Sequence, residues 1–370
     1  MPAFPCPSPL NRPARRSLQC VAAILTFVCL PAGAGPARCD TLAGSTLRWI
    51  VPNNPGGGYD ADARLLQPFV EKELRATIVI ENRPEAGGLV GAAAIRDAAP
   101  NGRTIGIINA SGLLAAGMDQ DTPNPIADFT ILARLLSNRI VVVTGRDSGI
   151  GSLDELLRLS AQRPIVIGVR DAGSASVFVV PVVAALLGID YELVAGYVGN
   201  SARALAAIRG EVDLLVQNLD SVQRFIADGE LRPLLQVTGA RPGKTSGPND
   251  AMLAGVPTLG GQGGVAQQRA LVTGRTREQA LKQAQALAAL IDAGRVIVAP
   301  PAMPDGPRGC LESALGNVLT SPEFRSAAAR AKLGVEPADA ATARNDIRLA
   351  SEALVEFSPL VRAAMQRARQ

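Results

Sequence analysis

Histidine is absent from the 370-residue sequence. This absence removes the commonest general acid–base group and the commonest metal ligand in proteins. A Ser-His-Asp triad, a Cys-His pair and a His-Glu-x-x-His zinc site are therefore excluded. Aromatic residues make up only 3% of the chain, which argues against a binding surface built of stacked rings. We expect no catalytic residue, no metal site and no cofactor.

Cysteine is also scarce, and its distribution is uneven. Four of the five cysteines, Cys6, Cys20, Cys29 and Cys39, lie in or beside the first forty residues. Cys310 is the one cysteine that clearly belongs to the rest of the chain. We therefore expect no intramolecular disulfide unless Cys39 survives processing, so that the hydrophobic core must supply the stability.

The first forty residues have the pattern of an export signal. A basic segment is followed by an uncharged apolar run and by an A-x-A cleavage pattern, at Arg12–Arg16, Leu18–Leu30 and Ala32–Ala34. We expect residues 1–34 to be removed as a signal peptide, with cleavage possible up to residue 43. The apolar run is short for a bilayer span of ~20 residues, and an uncleaved membrane anchor is the alternative. Loss of the three arginines lowers the formal charge from +4 to +1, which does not suit a nucleic-acid binder.

Beyond the signal, the length suits two domains of ordinary size. Short apolar strands alternate with helical patterns, which predicts an α/β fold with parallel sheets. The predicted strands are Leu47–Val51, Thr77–Ile80, Thr104–Ile108, Thr130–Leu136, Ile140–Thr144, Ile165–Val169, Glu192–Val194, Val212–Val216 and Leu234–Thr238. The predicted helices include Asp60–Leu74, Ser152–Ala161, Ser201–Arg209, Arg275–Ala293, Ser321–Ala331 and Ala340–Arg367.

A glycine-rich loop follows the first predicted strand. It contains Asn54, the consecutive glycines Gly56, Gly57 and Gly58, and then Tyr59 and Asp60. Glycines let the backbone approach a ligand, and the helix start adds N–H groups and a positive dipole. The loop therefore predicts an anion site, although a tight turn with Asp60 as helix N-cap is the alternative. Tyr59 either covers one side of the pocket or packs on the protein surface.

Two further loops lie at the carboxyl ends of predicted strands, where ligands bind in open α/β sheets. One contains Gly173, Ser174 and Ser176, and the other contains Ser111. Simple capping by Ser174 is the alternative for the first loop. Few Lys or Arg residues lie in the three loops, and Arg170 is the exception. We therefore expect a carboxylate to be held mainly by backbone N–H groups, hydroxyls and water.

Several segments resemble the receptors of tripartite tricarboxylate transporters, also called TctC-type or Bug receptors. The resemblance covers about residues 45–260. The matching segments are Ile50–Pro52, Pro55–Gly58 with Asp60, Ala63–Leu66, Val79–Pro84, Ala86–Gly88, Gly91-Ala92, Ala99–Gly102, Tyr197, Gly199, Gly210–Asp213, Ser221, Asp228–Arg232 and Val256–Leu259. Tyr59, Asp171, Val177 and Asn218 depart from the family pattern, which leaves the identity of the ligand open.

The resemblance implies a two-lobed periplasmic-binding-protein fold of type II, with a hinge and a ligand cleft between the lobes. We expect lobe one to use residues 45–138 and 233–370, and lobe two to use residues 139–232. The implied site joins the glycine loop to Gly173, Ser174, Ser176, Tyr197, Gly199 and Asn218.

The implied function is the periplasmic capture of a small carboxylate: a di- or tricarboxylate, an acidic amino acid or an aromatic acid. The implied partner is a two-component membrane permease, and we expect a monomer that binds no nucleic acid. Signalling to a membrane sensor kinase is the alternative. An α/β enzyme acting on a small anion is less favoured, because no nucleophile lies beside a base in the sequence.

Overall fold

The computed structural model describes residues 39–119, 126–169, 175–197, 199–237, 251–331 and 333–367. The predicted signal at residues 1–34 and Arg170 lie outside these ranges. Within them, no helix combines the length and the apolar character needed to cross a membrane.

Eleven strands are present in the described ranges. They are β1 Thr46–Val51, β2 Thr77–Asn82, β3 Thr104–Asn109, β4 Thr130–Leu136, β5 Ile140–Gly145, β6 Ile165–Gly168, β7 Tyr191–Val194, β8 Leu215–Asn218, β9 Leu231–Gln236, β10 Arg295–Ala299 and β11 Ala338–Asp339. The predictions for β1 to β7 are confirmed within a few residues at each end.

Twelve α-helices are present in the same ranges. They are α1 Gly58–Leu74, α2 Leu89–Arg96, α3 Ala110–Asp119, α4 Leu153–Ser160, α5 Ala175–Leu187, α6 Gly199–Ile208, α7 Leu219–Ala227, α8 Val265–Gln268, α9 Arg277–Asp292, α10 Asp305–Thr320, α11 Pro322–Arg330 and α12 Ala340–Arg367. The six predicted helices are confirmed as α1, α4, α6, α9, α11 and α12.

The strands form three sheets. A six-stranded sheet has the order β11-β4-β10-β3-β1-β2, a three-stranded sheet the order β8-β5-β9, and β6 pairs with β7. The expectation of parallel sheets is correct for β1 with β2 and β3 and for β6 with β7. It is wrong elsewhere, because β10 runs antiparallel to both β3 and β4, and β5 runs antiparallel to both β8 and β9. An apolar run predicts a strand but does not say which strand becomes its neighbour.

Two strand predictions are shifted along the chain. The predicted Val212–Val216 is displaced to β8, because Val212 is buried by the core without joining a sheet. The predicted Leu234–Thr238 is displaced to β9, which includes Pro233. Proline cannot donate to a strand ladder and is therefore a poor signal for a strand.

Helix α10 is among the helices that were not predicted. The stretch from Pro304 to Gly309 is rich in proline and glycine, yet α10 begins at Asp305 directly after Pro304. Proline and glycine are tolerated in the first turn, where the N–H groups have no carbonyl partner inside the helix. Leu311, Leu315 and Val318 then bury one face of the helix.

Buried apolar residues form three clusters. One lies between the six-stranded sheet and the helices α1 and α10, and includes Trp49 and Phe324. The largest includes residues of β5, β6, α5, α9 and α12, and α5 packs against both α9 and α12. The third lies under α6 and α7. Ala37–Gln370 forms one compact unit, and the division into lobes at residues 139–232 stays a prediction.

A disulfide joins Cys39 to Cys310, whose Cα atoms are 5.1 Å apart. It ties the segment before β1 to helix α10. Signal cleavage must therefore leave Cys39 in the mature chain, which is the condition under which the sequence predicts a disulfide.

Candidate functional site

The carboxyl ends of three neighbouring strands meet at one edge of the six-stranded sheet. Val51, the last residue of β1, pairs with Asn82, the last residue of β2. Asn109 at the end of β3 pairs with Arg295, the first residue of β10. The glycine-rich loop leaves β1 at this edge and leads into α1. The edge therefore brings together a glycine loop, two asparagines and an arginine.

Backbone geometry at the glycine loop depends on its first glycine. Gly56 has a φ of +75°, a conformation that residues with a Cβ rarely adopt. Its N–H donates to Asp60 Oδ2 at 2.8 Å, and the N–H of Gly57 donates to the Asn54 carbonyl at 3.1 Å. The loop is thus folded back on itself by its own hydrogen bonds.

Asp60 braces this loop and does not cap the helix. The N-cap of α1 is Gly57, which has no side chain to accept a cap hydrogen bond, so the alternative reading of Asp60 as N-cap is wrong. Asp60 also accepts from Arg64 Nε at 2.9 Å and from Asn82 Nδ2 at 3.0 Å. The Arg64 hydrogen bond lowers the pKa of Asp60 below its usual range, against the opposing effect of burial. The carboxylate therefore stays ionised and holds the loop.

The start of α1 is suited to an anion. The first N–H groups of a helix have no carbonyl partner within it, and here no side chain caps them. Helix N-termini carry a partial positive charge that favours negative ligands. Gly58 is exposed, which leaves the backbone open to close approach.

Two glycines, Gly88 and Gly91, pack closely against Pro52 at the start of the glycine loop. A Cβ on Gly88 would lie 2.5 Å from the Pro52 carbonyl oxygen, and one on Gly91 would lie 2.7 Å from Pro52 Cβ. Side chains at these positions would push Pro52 away. These glycines therefore fix where the loop leaves β1.

An arginine ion pair lies beside the loop. Arg295 Nη1 donates to Asp62 Oδ2, and both residues are buried, with 6% and 4% of their surface exposed. The Arg295 guanidinium stacks on the Tyr59 ring, with Cζ 4.5 Å from the ring centroid. The Tyr59 ring thus packs against a buried cation, and whether it also covers a ligand stays a prediction.

Electrostatics link this pair to α7. Burial raises the pKa of Asp62, and the Arg295 charge works against that shift. Burial also disfavours the charged guanidinium, but Asp62 raises the pKa of Arg295 above its ordinary value. The charge of Asp220, at the start of α7, acts on both Asp62 and Arg295. Asp220 is itself paired with Arg139, which directly precedes β5.

The remaining predicted site residues are dispersed. Asn218 is the N-cap of α7 and donates to Asn138 Oδ1 at 3.0 Å, so it lies next to Asp220. Gly199 begins α6 with a φ of +87°. Tyr197 packs partly buried against the cluster under α6, and burial raises its pKa. Ser111 is buried, and its hydroxyl donates to the Leu290 carbonyl.

The predicted loop with Gly173, Ser174 and Ser176 lies largely outside the described residues. Gly173 and Ser174 lie outside the described residues, and Ser176 belongs to α5 but its side chain is not described. A ligand role for every predicted residue stays a prediction.

Sequence reasoning missed Asp62 and Arg295. They are 233 positions apart, so no local motif connects them. The available signal was a charged residue opening the apolar strand Arg295–Ala299, which is buried throughout. A cation in that position needs a partner, and Asp62 on α1 supplies it. Among the described residues, no cluster of three or more His, Cys, Asp or Glu side chains is arranged to hold a metal ion.

Comparison with known protein sequences identifies several relatives. The chain is 26% identical over 226 residues to the protein BugT of Bordetella pertussis, covering 60% of this chain and 69% of BugT. It is 26% identical over 260 residues to a UPF0065 protein encoded in the tcbD-tcbE intergenic region of Pseudomonas sp. strain P51, covering 69% of this chain and 73% of that protein.

Solved structures show the same architecture. A TctC solute-binding protein from Polaromonas without ligand aligns with a TM-score of 0.61 at 19% identity, over 84% of this chain and 98% of that one. MatC from Rhodopseudomonas palustris, with bound malate, aligns with a TM-score of 0.63 at 21% identity, over 86% of this chain and 99% of that one. This likeness shows the fold, which is the two-lobed α/β fold of these binding proteins.

The family match is direct. Residues 63–263, more than half of the chain, match the family described as tripartite tricarboxylate transporter family receptor, TctC. The match begins inside α1 and extends to the loop before α8. The resemblance inferred from the glycine loop and the Val79–Pro84 segment is thereby confirmed, and the chain belongs to the TctC family of tripartite tricarboxylate transporter receptors.

Proposed function

We propose that this protein is a periplasmic receptor that captures a small carboxylate and delivers it to a two-component membrane permease of the tripartite tricarboxylate type. The observation that carries the proposal is the uncapped start of α1 beside the Gly56–Gly58 loop. Backbone N–H groups in such a loop bind an anionic group without a charged side chain.

A carboxylate is the anion class that the family context supports. MatC from Rhodopseudomonas palustris was solved with malate, and another protein of that organism, 20% identical to this chain with a TM-score of 0.63, was solved with adipate. We propose a carboxylate ligand for this chain by the same type of recognition. The loop binds one carboxylate group, and residues from α6, α7 and the loop before α5 contact the ligand from the other lobe.

The proposed output is transport and not catalysis. The sequence has no histidine, and the site described above contains an ion-paired arginine and a braced loop. Neither arrangement provides a nucleophile beside a base. The proposed export signal at residues 1–34 directs the precursor to the periplasm, where we expect the mature receptor to be a monomer.

Native mass spectrometry of the mature protein, purified from a periplasmic extract, tests the proposal. We expect a bound small organic acid, released on unfolding. Thermal-shift assays with carboxylates, sugar phosphates and nucleotides provide the matched comparison, and we expect stabilisation by carboxylates. Stabilisation by sugar phosphates or nucleotides and by no carboxylate would refute the proposed function.

A further inference from the structure

The Arg295 side chain has hydrogen-bonding capacity that the protein does not use. A guanidinium has five N–H donors. Within the described residues, Arg295 donates from Nη1 to Asp62, and its buried Nε has no partner. Asp62 accepts this bond through Oδ2. Burying polar atoms without partners is costly, but the buried Nε of Arg134 has no partner either, so the argument for a ligand at Arg295 rests on where its guanidinium lies.

These groups lie directly behind the glycine loop. A Cβ on Gly58 would be 3.4 Å from Arg295 Nη2 and 3.5 Å from Nη1. Gly58 therefore places no side chain against the guanidinium, although the Arg295 side chain as a whole is buried, with 8% of its surface exposed. A ligand whose carboxylate binds the start of α1 can meet Arg295 at this point only if it carries a second polar group.

The charge balance limits what that second group can be. Arg295 is neutralised by Asp62, and Asp220 is neutralised by Arg139. A second ionised carboxylate on the ligand would be attracted by Arg295 but repelled by Asp62 and Asp220. An ammonium group would be repelled by Arg295 and attracted by Asp62 and Asp220. A neutral group that both donates and accepts hydrogen bonds satisfies the pair without a charge conflict.

We propose that the Asp62–Arg295 pair is a specificity element that selects carboxylates carrying a hydroxyl or carboxamide group over unsubstituted acids and over acids with a second ionised carboxylate in its place. Arg295 donates a hydrogen bond to the oxygen of this group, and Asp62 accepts a hydrogen bond from its O–H or N–H. This inference rests on the proposed function, since it needs a carboxylate in the adjacent loop.

A second buried pair of the same kind provides a matched control. Arg134 on β4 donates to Asp346 on α12, and both side chains are as buried as those of the Asp62–Arg295 pair. Arg134 also donates to the Asp292 carbonyl at the end of α9, and among the described residues it makes no hydrogen bond or ion pair with the glycine loop. Removing either pair tests stability, but only one removal should change ligand choice.

The experiment uses calorimetry with the full mature protein and matched acids: propanoate, 2- and 3-hydroxypropanoate, succinate, succinamate, benzoate and 2-hydroxybenzoate. We expect the wild type to prefer the best hydroxylated or carboxamide acid over its unsubstituted or diacid counterpart by about ten- to one-hundredfold. The double variant Asp62→Leu/Arg295→Met removes both charges together, which avoids an unpaired buried charge. It should bind the matched acids within about threefold of one another.

The variant Arg134→Met/Asp346→Leu should keep the wild-type preference whatever its melting temperature. If the Asp62→Leu/Arg295→Met variant does not fold, Arg295→Lys provides the test, because lysine keeps the charge but lacks the forked N–H donors of a guanidinium. The preference of Arg295→Lys for the hydroxylated or carboxamide acid should be at least about tenfold weaker than that of the wild type. A wild type without preference, or a variant at this pair that keeps it, overturns the inference and leaves the proposed function intact. A wild type that binds no carboxylate overturns both.

Discussion

At the residue scale, Asp60 is the side chain that fixes the position of the glycine loop. Its carboxylate accepts from the Gly56 N–H, from Arg64 and from Asn82, so one side chain joins the loop, α1 and β2. An aspartate in the first turn of a helix reads as a cap or a dipole partner. The long-range contact with Asn82 is what distinguishes the bracing role, and it is invisible in the local sequence.

We expect Asp60→Asn to flatten the acid side of the stability profile. The folded state lowers the pKa of Asp60 from 3.8, so its stabilisation is complete above that value and is lost as the pH falls through the lower folded-state pKa. Melting temperatures from about pH 7 down to about pH 3 test this in wild type and variant. Asp154→Asn, at an exposed aspartate of α4, should follow the wild type. Parallel curves for wild type and Asp60→Asn would contradict the bracing role.

Tyr59 is predicted to stabilise Arg295 through its ring face. Because the guanidinium stacks on the ring, Tyr59→Phe keeps this contact and is the reference for measuring it by urea unfolding. Tyr59→Leu should have an unfolding free energy about 0.5–2 kcal/mol below that of Tyr59→Phe. Equal stability of the leucine and phenylalanine variants would show that the stacking contributes nothing.

At the scale of the elements, the period of apolar residues is a good guide and the pairing of strands is not. α1, α9 and α12 were predictable because each has apolar residues at helical spacing. β10 was not predicted, and α10 was hidden by Pro304 and two glycines. The antiparallel position of β10 between β3 and β4 depends on contacts across more than 150 residues, which no local pattern encodes.

The Cys39–Cys310 disulfide is an element-scale feature with a measurable consequence. It ties the segment before β1 to α10, and cross-links that close long loops stabilise a protein by about 2–5 kcal/mol. Guanidinium unfolding of Cys39→Ser/Cys310→Ser should show a loss in this range. Wild type treated with a thiol reductant should unfold at the midpoint of the variant. A wild-type midpoint that does not respond to reductant would contradict a disulfide in the mature protein.

At the scale of the whole molecule, family and fold class were within reach of the sequence, and the charged part of the site was not. Pro55–Asp60 and Val79–Pro84 are local segments, and together they indicate the family. Arg295 reaches the glycine loop only because β10 inserts beside β3 and places its first residue at the carboxyl edge. The scarcity of cations was a statement about the three loops, and the sheet order adds Arg295 from outside them. Recognition mainly by backbone N–H groups, hydroxyls and water stays a prediction.

The central claim is that the glycine loop at the start of α1 binds the ligand carboxylate. Gly57 has a φ of −75°, so a side chain there needs no unusual backbone, although its Cβ would lie 3.1 Å from the Asn54 carbonyl oxygen. Gly57→Val should therefore fold and block the approach of a ligand. Gly316→Val, at an open position on α10, is the matched control.

Isothermal titration of the mature protein with the carboxylate that stabilises it most is the direct test. We predict that Gly57→Val loses at least about one-hundredfold in affinity while it keeps a cooperative thermal transition, and that Gly316→Val binds like the wild type. Binding of the same acid by Gly57→Val with wild-type affinity would show that the ligand lies elsewhere and that the glycine loop is only a turn.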